Sequence, residues 1–186
     1  CKSLSLVDKE CAVTTVFANT TSVTVLQGEY RVTTDPKVMF SAVLGSCIAA
    51  CIYDAENGVG GMNHFLLPDG PPSRSDVSSF GANAMELLIN ALIRSGALRG
   101  RLRAKVFGGA EMYKGLTNVG NQNGRFVLSY LEREGIPCDG QSLGGVQARR
   151  VEFFPAQGKA RQKLVEDTHI VEKRPVPEIS SDLELS

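Results

Sequence analysis

The stretch "SAVLGSCIAACIYDAENGVGGMNHFLLP", residues 41–68, decides the fold. Two short apolar runs, "CIAACIY" and "MNHFLLP", flank "DAENGVGG", in which Asn57-Gly58 tolerates positive φ and two more glycines follow. Runs of this length, closed by turn residues on one side and Pro68 on the other, read as two buried strands of a hairpin. If residues 55–58 form a four-residue loop, Asp54 pairs with Val59 and Ala49 with His64. Cys47 then lies on the His64 face, one diagonal step away, a separation of about 7 to 8 Å between backbones. A two-residue loop would instead set Cys51 opposite His64, and the sequence leaves both registers open.

Outward from the hairpin, "GEYRVTTD" (28–35) reads as a short strand and "DGPPSRSDVSS" (69–79) as a polar loop. Met85, Leu88 and Leu92 recur at helical spacing, which predicts a helix over 79–95 that stops at Gly96. "LRGRLRAKVFGGA" alternates basic with small or apolar residues, as a strand with one wet face does. A second helix is expected over 124–134, with Asn123 as cap, Val127, Tyr130 and Leu131 inward, and Gly135 then Pro137 as the stop. "ARRVEFFPAQGKARQKLV" closes the fold as a hairpin. Strands outnumber helices, and most connect by turns too short for a parallel crossover. The expectation is an α+β fold, a largely antiparallel or mixed β-sheet with two helices packed to one side. Residues 26–171 form the single domain, 1–25 an uncertain lead-in, and 172–186 a polar, proline-bearing tail expected to be disordered.

Composition narrows the function. Twenty Lys and Arg balance twenty Asp and Glu across 186 residues, so no net field draws the chain to nucleic acid or an anionic membrane. No apolar run approaches the roughly 20 residues of a membrane span, and no signal pattern opens the chain; a cytoplasmic protein is expected. Five cysteines, at 1, 11, 47, 51 and 138, show no framework spacing and point to reduced thiols.

Cys47 and Cys51 differ in their surroundings. Cys51 sits inside the apolar run, where a cysteine behaves as a small inert hydrophobe. Cys47 follows Gly45 and Ser46 at the strand entrance, where backbone N–H groups of Ser46 and Cys47 can hold an oxyanion. A thiolate nucleophile needs an imidazole to lower its pKa and carry its proton, and a third polar group commonly orients that imidazole. His64 is the candidate base, and Ser41 is one candidate orienter among several serines. The bland reading, a core cysteine and an unrelated histidine, stays open at this level. Metal binding is disfavoured, because Cys47, Cys51 and His64 lack a supported fourth ligand, Cys138 and His169 having no pattern. Arg99, Arg101, Arg103 and Lys105 are a basic set that most simply forms a solvated face.

Four motifs in order, "LGSC", "GGMNHFLLP", "KVFGGAEM" and the "GG" before "RRVEFF", resemble the chemoreceptor glutamine deamidase family, CheD, of bacterial chemotaxis, from about residue 28 to about Val165. The resemblance implies a cytosolic cysteine hydrolase without cofactor that converts receptor glutamines to glutamates. It carries the nucleophile onto Cys47, the histidine onto His64 and a third catalytic position onto Ser41, where the family pattern has threonine. It also implies a sandwich in α/β/β layers similar to the cytotoxic necrotizing factor catalytic domain, with chemoreceptor helices and a CheC-type phosphatase as partners. Acidic receptor helices would give the face of Arg99, Arg101, Arg103 and Lys105 a docking role. Two positions depart from the family pattern: Gln122 replaces arginine in "VGNQN", and Ala148 replaces glycine before "RR". The rival readings are a non-catalytic module that binds the phosphatase or receptor helices, and an unrelated cysteine amidase.

Overall fold

The computed structural model describes residues 19–68, 74–112 and 118–166. Its elements in chain order are β1 (Thr21–Thr24), β2 (Tyr30–Thr33), β3 (Val38–Leu44), β4 (Ile48–Asp54), β5 (Val59–Phe65), α1 (Arg74–Arg94), β6 (Arg103–Gly108), α2 (Val119–Arg133), β7 (Cys138–Leu143), β8 (Arg149–Phe154) and β9 (Lys159–Leu164). Two sheets form, one ordered β1-β3-β8-β9 and one ordered β2-β5-β4-β6-β7.

The alternation of β4 explains the layering. Ile48, Ala50 and Ile52 face one way and pack with Met85, Leu88 and Leu92 of α1 and Val127 and Leu131 of α2. Cys47, Ala49, Cys51 and Tyr53 face the other way and meet Phe40, Ala42, Leu44, Val151 and Phe153 of the first sheet. Every residue of β4 and β5 is buried, as strands covered on both faces require. The molecule is therefore α+β in three layers, helices on sheet on sheet, with β4 at its centre.

The expected hairpin forms with the four-residue turn 55–58, and Ala49 pairs with His64 while Cys51 pairs with Met62. Asp54, wholly buried at the strand end, fixes the turn: its carboxylate accepts the N–H groups of Asn57 at 3.2 Å and Leu98 at 2.9 Å.

The sheets are mixed, one of the two forms expected: β1 pairs with β3 and β6 with β7 in parallel, and the other pairings are antiparallel. Several other expectations need correction. α2 is itself the crossover between β6 and β7, and it leads to a strand, "CDGQSL", that carries no strand signal in the sequence. The first helix begins at Arg74, inside the expected loop, since apolar spacing becomes visible only from Met85 while the helical backbone starts earlier. α2 begins at Val119 and not at 124, so Asn123 lies within the helix and is no cap. Both helices do end where glycine was expected to end them: Gly96 and Gly135 take φ of 101° and 68°. β1 lies in the lead-in 1–25, whereas Cys1, Cys11, His169 and the tail 172–186 lie outside the described residues.

Candidate active site

The chain leaves β3 in one sheet at Leu44 and enters β4 in the other at Ile48, so Gly45-Ser46-Cys47 is the crossing between sheets. Three consecutive carbonyls of this crossing are held from outside: Gly45 O by the N–H of Ala110 at 2.9 Å, Ser46 O by Asn123 Nδ2 at 2.9 Å, and Cys47 O by the N–H of Gly109 at 2.8 Å. A trans peptide sets each N–H opposite the preceding carbonyl. Pinning Gly45 O and Ser46 O therefore fixes the directions of the Ser46 and Cys47 N–H groups, the pair expected to hold an oxyanion.

The glycine motifs now have a shared physical reason. Gly108 has φ of 115°, and a Cβ there would overlap the Cys47 carbonyl oxygen. Gly120, in the first turn of α2, packs on Gly109, where a Cβ would stand 2.5 Å from the Gly109 carbonyl oxygen. "KVFGGAEM" and "VGNQN" thus supply backbone close enough to grip the crossing. Asn123 completes the grip: it is fully buried, its Nδ2 donates to Ser46 O and its Oδ1 accepts the N–H of Leu67 at 2.9 Å. The "GG" before "RRVEFF" closes the same end, Gly144 N–H donating to Gly108 O at 3.0 Å and the buried Arg149 donating to the carbonyls of Ser142 and Gly144.

Cys47 is buried at 2 % exposure on the inter-sheet face. The β4–β5 register puts His64 on that face, diagonal to Cys47. His64 Nδ1 lies 3.0 Å from the carbonyl oxygen of Val25, which can only accept, so Nδ1 carries the proton and Nε2 is the basic nitrogen of the neutral ring. Main-chain bonds clasp the same histidine, its N–H to Glu29 O at 3.0 Å and its carbonyl to the Gly28 N–H at 2.7 Å. Cys47 Sγ lies 3.5 Å from Gln27 Oε1.

Ser41 is buried on β3 between Phe40 and Ala42, whose side chains enter the inter-sheet core, so alternation sets Ser41 on the opposite face. Its link to the imidazole in this structure runs through the backbone: Ser41 O accepts the Val25 N–H at 2.9 Å, and Val25 O meets Nδ1. Val25 and Gln27 were not singled out in the sequence. A backbone carbonyl leaves no sequence signal, and Gln27 lies one residue before the "GEYRVTTD" segment, outside every motif quoted.

Cys51 is fully buried, and burial pushes its thiol far above the ordinary range despite the lowering influence of Lys105. Among the described residues no group of three or more His, Cys, Asp and Glu could hold a metal ion. The basic set is not brought to the site. Ile48 pairs with Gly108 and Tyr53 with Arg103, so Arg103 lies at the far end of β6 from Cys47. Arg99 is paired with Glu134 at 2.5 Å, Arg101 with Glu56 at 3.1 Å and Arg103 with Asp139, and Lys105 donates to Gly158 O at 2.7 Å.

Comparison with known proteins bears on this geometry. The family described as CheD chemotactic sensory transduction matches residues 66–164. A probable chemoreceptor glutamine deamidase CheD 1 of Ruegeria sp. (strain TM1040) is 57% identical over 152 residues, 82% of this chain and 81% of that protein. The probable chemoreceptor glutamine deamidase CheD of Caulobacter vibrioides (strain NA1000 / CB15N) is 57% identical over 143 residues, 76% of each chain. That of Agrobacterium fabrum (strain C58 / ATCC 33970) is 46% identical over 169 residues, 86% of this chain and 93% of that protein.

Proposed function

This chain belongs to the CheD family, and from that premise we propose that it is a chemoreceptor glutamine deamidase with Cys47 as nucleophile and His64 as acid and base. The observation that carries the assignment is the β4–β5 register, which puts the two residues on one face while Val25 O fixes the imidazole with Nε2 basic.

The reaction follows from these groups. His64 Nε2 takes the thiol proton, and the thiolate attacks the carboxamide carbon of a substrate glutamine. The carbonyl electron pair moves onto oxygen, where the Ser46 and Cys47 N–H groups stabilise it. Collapse expels ammonia with the proton from His64 and leaves a thioester. His64 then takes a proton from water, the hydroxide attacks the thioester carbon, and the thiolate departs, leaving glutamate. No cofactor enters any step. Ser41 serves by holding Val25, the residue that orients the imidazole.

The partners are cytoplasmic chemoreceptor helices, so the reaction belongs to the cytoplasm. Among the described residues no helix is long and apolar enough to cross a membrane. Exposed Leu26, Phe80 and Leu87 offer apolar contacts to such a helix, the last two lining a cavity of about 120 Å³ beside His64. The same surface is where a CheC-type phosphatase would compete, and the basic face at the far end of β6 is a second, separable contact for acidic receptor segments. The order helices, sheet, sheet supports a likeness to the cytotoxic necrotizing factor catalytic domain.

The test is ammonia release from receptor cytoplasmic fragments. Cys47→Ala and His64→Ala abolish it and Cys51→Ala leaves most of it; activity that survives Cys47→Ala but not Cys51→Ala refutes the assignment. Binding of a CheC-type phosphatase by an intact chain that releases no ammonia would favour a regulatory module.

A further inference from the structure

The segment from Val25 to Glu29 is a built turn. Glu29 N–H donates to Leu26 O at 3.0 Å, Gly28 holds φ of 87° as the third position of a type II turn requires, and the Leu26 N–H donates to Glu29 Oε2 at 3.1 Å. This turn grips the histidine on three sides, through Val25 O to Nδ1, Gly28 N–H to His64 O and His64 N–H to Glu29 O. Gln27 is therefore fixed at its backbone. Its residue is exposed, yet its side chain turns inward and rests its carboxamide oxygen 3.5 Å from Cys47 Sγ.

A glutamine carboxamide on the thiol of a glutamine deamidase is the substrate's own reacting group. We propose that Gln27 is a built-in substrate mimic, which occupies the carboxamide place against Cys47 in the resting protein and must swing out before a receptor glutamine can enter. The proposal rests on Cys47 being the nucleophile.

Chemistry and geometry both favour a resting, unreactive contact. A carboxamide oxygen only accepts, so it partners the thiol S–H and has nothing to offer a thiolate. The contact is from sulfur to oxygen, as for a hydrogen bond, and not from sulfur to the carbon that an attack would need. The mimic thus holds the sulfur protonated and covers it, in keeping with the burial of Cys47. Release requires only rotation about the Gln27 side-chain torsions, because the backbone bonds of the turn serve His64 and stay in place. An entering glutamine replaces one carboxamide by another, so the polar groups around the sulfur lose no partner in the exchange. Selectivity follows: a side chain without a carboxamide gains little by displacing one.

The experiment compares iodoacetamide labelling of Cys47 at pH 7 in the full chain, read by peptide mapping, with that in Gln27→Ala and Gln27→Glu. Gln27→Ala is expected to label at least about fivefold faster and to lower KM for receptor fragments without loss of kcat. Gln27→Glu keeps the bulk but faces the sulfur with a carboxylate, so it is expected to label more slowly than the unsubstituted chain and to shift the labelling profile to higher pH. Ammonia release that survives Cys47→Ala overturns the nucleophile reading and this proposal with it. An inactive Cys47→Ala, with Cys47 in Gln27→Ala labelling no faster than in the unsubstituted chain, overturns this proposal alone. A raised KM in Gln27→Ala also overturns it, since Gln27 would then be helping substrate to bind.

Discussion

Replacing Asn123 by alanine separates the grip on the Gly45-Ser46-Cys47 crossing from the proposed catalytic groups themselves. Asn123 is wholly buried and touches neither Cys47 nor His64 by a side-chain bond; it holds Ser46 O and the Leu67 N–H, each at 2.9 Å. Truncation leaves the buried Leu67 N–H and the part-buried Ser46 O without this partner. Each buried group left unsatisfied costs about 1–3 kcal/mol, so the pair predicts a loss of about 2–6 kcal/mol. For a domain of this size that corresponds to roughly 4–24 °C in melting temperature. Activity should fall further than the folded fraction, because freeing Ser46 O frees the Cys47 N–H that the same peptide unit aims. The assay is urea unfolding followed by circular dichroism, with ammonia release measured where the variant is still folded. Asn123→Asp sharpens it. The acceptor for Leu67 remains, but a carboxylate now faces Ser46 O, so kcat should drop by more than in the alanine variant. Asn123→Ala that loses under 1 kcal/mol and keeps full kcat would refute the idea that this side chain aims the crossing.

Gly108→Ala introduces a Cβ onto the Cys47 carbonyl at a positive φ, and is expected to abolish ammonia release even in the folded fraction, checked beside near-ultraviolet circular dichroism. Once Gln27→Ala has uncovered the sulfur, brief alkylation at about pH 6 should label Cys47 ahead of the exposed Cys138, because an imidazolium and turn N–H groups favour the thiolate, and adding His64→Ala should erase that order. The Arg103 guanidinium beside Asp139 holds its carboxyl below the ordinary carboxylate range, helped by the Tyr53 hydroxyl. A depressed folded pKa gives stability that is present above the unfolded value, about 3.9, and lost as pH falls through the folded one, so Asp139→Asn should flatten the fall in urea midpoint below about pH 4. Arg99→Glu with Arg101→Glu tests the basic face: a raised KM that grows as salt is lowered supports docking there, and an unchanged KM removes it.

The hairpin was legible because its signals are local. Asn57-Gly58 and the flanking apolar runs mark the turn, while the loop length, which decides whether Ala49 or Cys51 pairs with His64, is settled only by the structure. Asn123 was misread for the same reason in reverse: asparagine is favoured at helix caps, and only a bond across 56 residues to Leu67 reveals its part. β7 escaped because "CDGQSL" carries neither alternation nor apolar run; it is an edge strand held by parallel pairing to β6. The orienting oxygen of Val25 belongs to the backbone, which every residue has, so no choice of side chain marks it.

The grip on the crossing also makes this site depend on distant parts of the chain. Cys47 immediately precedes β4 and His64 lies on β5, and the hairpin that joins these two strands closes over a four-residue turn. The atoms that aim the Cys47 peptide come from Gly109, Ala110 and Asn123, far along the chain. The proposed nucleophile and base are thus joined by a short stretch of chain, whereas the contacts that aim the Cys47 peptide are long-range ones, which a chain that ends before its second helix cannot make in full.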